Sequence, residues 1–102
     1  MREYDLYVPM VSDTGKRFPP GKLGRLKKLL VSEFGGFTYF PQKSKGVWRI
    51  GRISFRDDIV IIRVLGGNTA KVRSFWRKFK KRMQAEWNQK MILIVVRKVR
   101  TV

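Results

Sequence analysis

Cysteine and histidine are both missing from this chain of 102 residues. Without cysteine there is no disulfide, no thiolate nucleophile and no Cys-type zinc site. Without imidazole the commonest general base and the commonest transition-metal ligand are gone, so Ser-His and Cys-His catalysis are excluded. Anionic residues are scarce, with 7 Asp+Glu against 24 Lys+Arg and a formal net charge of +17. Carboxylates, Tyr, Lys and Arg are the groups left for chemistry, and no cofactor is expected. No apolar stretch approaches the roughly 18 residues of a membrane-spanning helix. The opening MREYDLYVPM also lacks an apolar run followed by a small-residue cleavage site. A cytoplasmic protein with no membrane partner is the expectation.

What is present is enough to fold. Hydrophobic residues make up 43% and aromatics 13% of the chain, well above the level at which a basic segment stays disordered. One domain over residues 1–102 is expected, burying roughly 65% of the unfolded surface. Self-repulsion opposes compaction in a chain this charged, so a bound polyanion would stabilise the fold as well as serve function.

Residues 4–10 alternate Tyr4, Leu6, Val8 and Met10 against Asp5, Tyr7 and Pro9, the period of a half-buried strand. The segment 11–21 gathers Ser, Asp, Thr, Gly and paired prolines and reads as a loop. Leu23, Leu26, Leu30 and Phe34 recur at helical steps from Lys22 to Phe34, and Gly35-Gly36 supplies the left-handed stop. FTYFP at 37–41 favours strand, and GVWRIGRISF reads as a hairpin turning at Gly51, so that 42–56 projects as a hairpin or loop. DIVIIRVL at 58–65 is a strand apolar on both faces. Thr69 is a suitable N-cap for a second helix from Ala70 to Trp87, and Met91 to Val99 is a last β-branched strand. In order this is β-α-β-β-α-β, an α+β chain of the ferredoxin-like kind, with two helices on one face of a four-stranded antiparallel sheet. Ile59, Ile61, Leu93 and Val95 fall on the face opposite Ile62 and Ile94, which predicts an exposed apolar patch and hence a homodimer or a protein partner.

Between Lys71 and Arg82 the chain reads KVRSFWRKFKKR, with no anion and with Val72, Phe75, Trp76 and Phe79 sharing one face of the helix. A charge run is most simply a solvated helix face. Ordinary solvated faces mix signs, however, because like charges four residues apart cost a few tenths of a kcal/mol each. Arg73/Arg77, Arg77/Lys81 and Lys78/Arg82 are all like-charge pairs at that spacing. Neutralisation by phosphates gives such pairs a purpose, so Arg73, Arg77, Lys78, Lys80, Lys81 and Arg82, with Arg25 and Lys28 of the first helix, are the candidate phosphate contacts. The helical spacing of Phe75, Trp76 and Phe79 with Met83 and Trp87 points to core rather than base stacking. Lys43, Lys45, Arg49 and Arg52 lie in the hairpin beside Tyr39, Phe40, Trp48 and Phe55. A basic, aromatic hairpin suits a groove or unpaired bases, while Trp48 is equally suited to anchor the hairpin on the core.

FGGFT at 34–38, GVW at 46–48 and RDD at 56–58, after a YDLY opening strand, resemble a pattern found in a group of small prokaryotic proteins. The resemblance implies the element order and transfers no site residue. The RNA-recognition-motif family is built on the same element order, but its Lys/Arg-Gly-aromatic octamer is missing, and Tyr7 is the one aromatic on the outer side of the first strand. Asp5, Asp57 and Asp58, helped by Glu3, are the only carboxylates placed to gather around Mg²⁺ for phosphodiester hydrolysis. Small ferredoxin-like nucleases of CRISPR adaptation systems carry a metal-binding Asp at the end of the first strand, where this chain has Pro9-Met10. The expectation is therefore a non-enzymatic nucleic-acid-binding protein (DNA or RNA) with neither catalytic residues nor a metal. An accessory subunit of a larger nucleoprotein complex and an Mg²⁺-dependent nuclease stand as alternatives.

Overall fold

The computed structural model describes residues 1–11, 16–41, 48–50, 53–55, 59–87 and 93–102. Along the chain it contains β1 (Arg2–Pro9), α1 (Pro20–Phe34), β2 (Thr38–Phe40), β3 (Trp48–Ile50), β4 (Ile53–Phe55), β5 (Ile59–Gly66), α2 (Ala70–Glu86) and β6 (Leu93–Lys98). Four of the strands form an antiparallel sheet in the order β2-β5-β1-β6, while β3 and β4 pair only with each other.

Strand alternation sets the layers. Tyr4, Leu6 and Val8 lie opposite Val64, Ile62 and Val60 across the β1–β5 ladder, and all six are buried. Leu6 also pairs with Ile94, and Tyr39 pairs with Ile62, so one face of the sheet is continuously apolar. Leu26 and Leu30 of α1 and Trp76, Phe79 and Met83 of α2 join that face in a single core, together with Trp87 just beyond α2. At about 25 cal/mol per Å² of apolar surface, burial of this seam is the main favourable term holding two strongly cationic helices on the sheet.

Aromatic rings carry much of the contact. Trp76 stacks on Tyr4 at 4.9 Å and on Phe34 at 5.3 Å, with Phe75 and Phe79 edge-on at 5.1 and 5.3 Å. The Tyr4 hydroxyl donates to the Gly67 carbonyl at 2.8 Å, tying β1 to the connection between β5 and α2. At Gly66 a Cβ atom would sit 2.9 Å from the Phe34 ring, so glycine lets that ring close over the end of β5. The indole Nε1 of Trp76 is buried with no acceptor among the described residues, a cost of about 1–3 kcal/mol that ring packing has to offset.

Local signals account for the ends of the elements. Thr69 caps α2, its Oγ1 accepting from the Val72 N–H at 3.2 Å, and Gly35 ends α1 at φ 83° with its N–H on the Val31 carbonyl. Helix α1 begins at Pro20 rather than Lys22, because proline lacks only an N–H that the first turn does not use. Strand β1 starts at Arg2, ahead of residue 4, because Arg2 and Glu3 pair with neighbours on both sides. Pairing of Ile50 with Ile53 leaves two residues between β3 and β4. The expected turn at Gly51, and the parts of the 42–56 segment outside β3 and β4, fall outside the described residues.

Trp76→Ala removes the ring shared by β1, α1 and α2. It is expected to lower the unfolding free energy by about 3–5 kcal/mol, read as an earlier urea midpoint.

Candidate nucleic-acid interface

Helix α2 presents Lys71, Arg73, Arg77, Lys78, Lys80, Lys81 and Arg82, and every one of these side chains is exposed. Glu86 is its only carboxylate. Phe75, Trp76 and Phe79 lie against the core, as their spacing predicts, so no ring of the three is presented to a base. Arg25 and Lys28 of α1 are likewise exposed, while Lys22 and Lys27 are half-buried.

The predicted phosphate contacts are not equivalent. Arg77, Lys78, Lys80 and Lys81 project outward, and Arg77 to Lys81 is one helical turn, a rise of about 6 Å. Arg73 instead turns back to donate from Nη1 to the Asn68 carbonyl at 2.6 Å. Arg82 pairs through Nε with Glu86 at 2.7 Å, on the surface. Of the hairpin residues, Arg49 is placed in β3 opposite Ser54, and Lys43, Lys45 and Arg52 lie outside the described residues. Helical spacing puts Lys22 on the outer face of α1 with Arg25 and Lys28, but it is half-buried, donates from Nζ to the Glu86 carbonyl and lies 5.0 Å from the Phe18 ring and 5.9 Å from the Trp87 ring, contacts the sequence pattern missed. The pattern also missed Lys27, whose Nζ is 3.8 Å from the Tyr39 ring centre. Nothing in helical periodicity marks these contacts, since they join α1 to elements far along the chain.

The second face of the sheet has a different electrostatic character. Glu3 and Asp5 of β1, Arg63 of β5 and Arg97 of β6 form a closed ionic network. Arg63 donates to Asp5 from Nε at 2.9 Å and from Nη2 at 3.1 Å, and Arg97 donates from Nη1 at 2.8 Å. Glu3 meets Arg63 at 3.0 Å and Arg97 at 2.9 Å. Burial of Asp5 pushes its carboxyl up, but hydrogen bonds and charge from the two guanidiniums overcome this and hold it below the ordinary 3.8. These positions correct the expectation of a bare apolar patch. Ile59 is buried, Ile61, Leu93 and Val95 are half-buried, and the middle of the face is ionic. Phe40 and Leu65 are its large exposed apolar side chains among the described residues, with the Arg63 guanidinium 5.0 Å from the Phe40 ring.

The same network bears on the metal expectation. Three hydrogen bonds from guanidiniums occupy the Asp5 carboxylate, which a cation would have to displace, and Asp57 and Asp58 lie outside the described residues. No group of three metal-ligating side chains comes together among the described residues. Nor is any described helix long and apolar enough to cross a membrane. No family model, curated protein or solved structure matches the chain.

A carboxyl whose pKa is depressed on folding contributes stability above its unfolded value and loses it as pH falls through the folded value. Stability is thus expected to drop below about pH 4 as Asp5 takes up a proton. Asp5→Asn should cost about 1.5–3 kcal/mol at pH 7 and flatten this part of the acid limb in urea titrations.

Proposed function

We propose that the chain is a non-enzymatic nucleic-acid-binding protein that grips phosphates with the outer face of α2, on a ferredoxin-like domain. The observation carrying this is the segregation of charge. In the helical layer eleven Lys/Arg side chains (residues 22, 25, 27, 28, 71, 73, 77, 78, 80, 81 and 82) stand against Glu33 and Glu86. On the second face of the sheet, Arg63 and Arg97 are matched by Glu3 and Asp5. A solvated surface evolved only for solubility has no need to gather one sign in one layer, whereas a polyanion-binding surface does. Support for the ferredoxin-like reading comes from the element order, taken with strand order β2-β5-β1-β6 and the β3–β4 hairpin inserted between β2 and β5.

In this reading Arg77, Lys78, Lys80 and Lys81 are primary phosphate ligands and Arg25 and Lys28 extend the surface along α1. Arg73 and Arg82 join by exchanging an internal acceptor for a phosphate. Arg49 and Arg52 of the hairpin, with Lys43 and Lys45, are the groups proposed to reach base edges or a minor groove. The site of action is the cytoplasm.

If about five to eight phosphates are neutralised, log affinity for duplex DNA should fall against log salt with a slope of roughly −4 to −7. Fluorescence anisotropy across a salt series measures it, and a slope shallower than about −2 is incompatible with this clamp. Changing Arg77, Lys78 and Lys81 together to Glu should weaken binding to all sequences alike without unfolding the domain.

The protein is also proposed to dimerise through the second face of the sheet. Two copies carrying +17 each repel through their helical layers, and the face whose charges are internally balanced is where they can approach. Across it Phe40, Ile61, Tyr7 and Leu93 form one row from β2 to β6. Sedimentation equilibrium at micromolar concentration should return a dimer, and Ile61→Lys should return a monomer. A wild-type monomer would remove this part of the reading.

A further inference from the structure

Resting on the nucleic-acid reading, we infer that the cleft between α1 and α2 is a pocket for one unpaired nucleotide of the bound strand. The cleft has a volume of about 360 Å³ and is lined by Lys22, Arg25, Leu26, Leu29, Arg82, Met83, Glu86 and Trp87. That size falls in the range of small-ligand sites, roughly 300–1,000 Å³. Its two chemistries are separated. Leu26, Leu29, Met83 and Trp87 supply an apolar lining, whereas Lys22, Arg25 and Arg82 bring cations from both helices. A flat, largely apolar base attached to a phosphate matches this division.

Glu86 is the one anion in the cleft, and it engages both helices. Its carboxylate accepts from Arg82 Nε at 2.7 Å, and its backbone carbonyl accepts from Lys22 Nζ. Arg82 is thereby held beside the cleft by a surface carboxylate, an exchangeable partner that a phosphate oxygen can replace with a hydrogen bond of the same kind. Arg25, exposed across the cleft, has no such partner among the described residues.

Continuity with the phosphate-gripping face selects the occupant. Lys78 lies one turn before Arg82 and Lys71 two turns before Lys78, on one stripe of α2. A backbone following that stripe is led to the cleft, where its next nucleotide can enter. A base stacked and paired inside a duplex cannot enter without a cost of a few kcal/mol for extrusion, so unpaired or terminal nucleotides are the ones selected. Two further cavities among the described residues lack this combination. One, of about 430 Å³, has Arg63 committed to Asp5 and Glu3, and the other, of about 350 Å³, is a shallow apolar depression beside Lys27 and Val31.

The test compares a short blunt DNA duplex with the same duplex carrying a single-stranded thymidine tail, by anisotropy on the full chain. Wild type should bind the tailed ligand about tenfold more tightly. Leu29→Trp, which fills the cleft, should bring the two affinities together while keeping the salt slope on the blunt duplex, and Arg25→Glu should also bring them together while lowering that slope by about one, the loss of one phosphate contact. Arg25 is exposed, so its variant decides the matter if Leu29→Trp does not fold by circular dichroism. Equal wild-type affinities with a steep slope, or a preference surviving in Arg25→Glu, overturn the cleft assignment and leave the phosphate clamp standing. A shallow slope on both ligands is instead the failure of the nucleic-acid reading itself.

Discussion

Trp76 is the point at which the sheet and both helices meet. One of its faces lies on Tyr4 of β1 and the indole also stacks with Phe34 at the end of α1, while Phe75 and Phe79 of its own helix close around it. Every cation of α2 is exposed because this stack fixes which side of the helix is turned inward. The geometry is held from several directions at once. The Tyr4 hydroxyl grips Gly67, and Phe34 packs on Gly66 where a side chain would collide. Such a joint tolerates a buried indole N–H with no acceptor among the described residues, because aromatic pairs add about 0.5–1.5 kcal/mol each beyond the area they bury.

That joint carries an electrostatic load. Arg73, Arg77 and Lys81 succeed one another at four-residue intervals, as do Lys78 and Arg82, and each like pair opposes the helix by a few tenths of a kcal/mol. The protein relieves some of this internally, by turning Arg73 onto the Asn68 carbonyl and Arg82 onto Glu86. Arg77, Lys78, Lys80 and Lys81 stay directed outward. The apolar underside of α2 packs into the core while these cations face solvent, so the outer face is available to an external counter-charge.

How much of this was legible in the sequence depends on the range of the interaction. Thr69 and Gly35 act within a turn of their own helices, and both caps form as their residue types suggest. Strand parity is equally local: Ile59 and Ile61 do lie on the face opposite Ile62, as Leu93 and Val95 lie opposite Ile94. The ionic network is not local. Asp5 reaches Arg63 and Arg97 only because β1 is the central strand between β5 and β6, and no spacing along the chain announces that. A mid-strand aspartate therefore read as a possible metal ligand when it is a buried partner of two arginines. Lys22 and Glu86 were invisible for the same reason, being brought together by the packing of α1 beside the end of α2.

The two faces thus place charge in different physical regimes. In the Asp5 network the carboxylate is buried and its hydrogen bonds are short, so screening by salt is weak and the interaction belongs to folding. On α2 the charges are exposed and, Arg82 with Glu86 apart, without an anionic partner among the described residues, screening is strong, and any attraction they exert belongs to association. Substitutions on the outer face of α2 can accordingly change its charge with little penalty in stability, because the aromatic joint beneath does not depend on them. Asp5 has no such freedom, since losing it strands Arg63 and Arg97 beside Glu3 alone. With Glu3 and Asp5 tied up in the network on the second face of the sheet and Glu86 the sole carboxylate of α2, the outer surface of that helix is left to charge of nearly one sign, held in place by packing rather than by ion pairs.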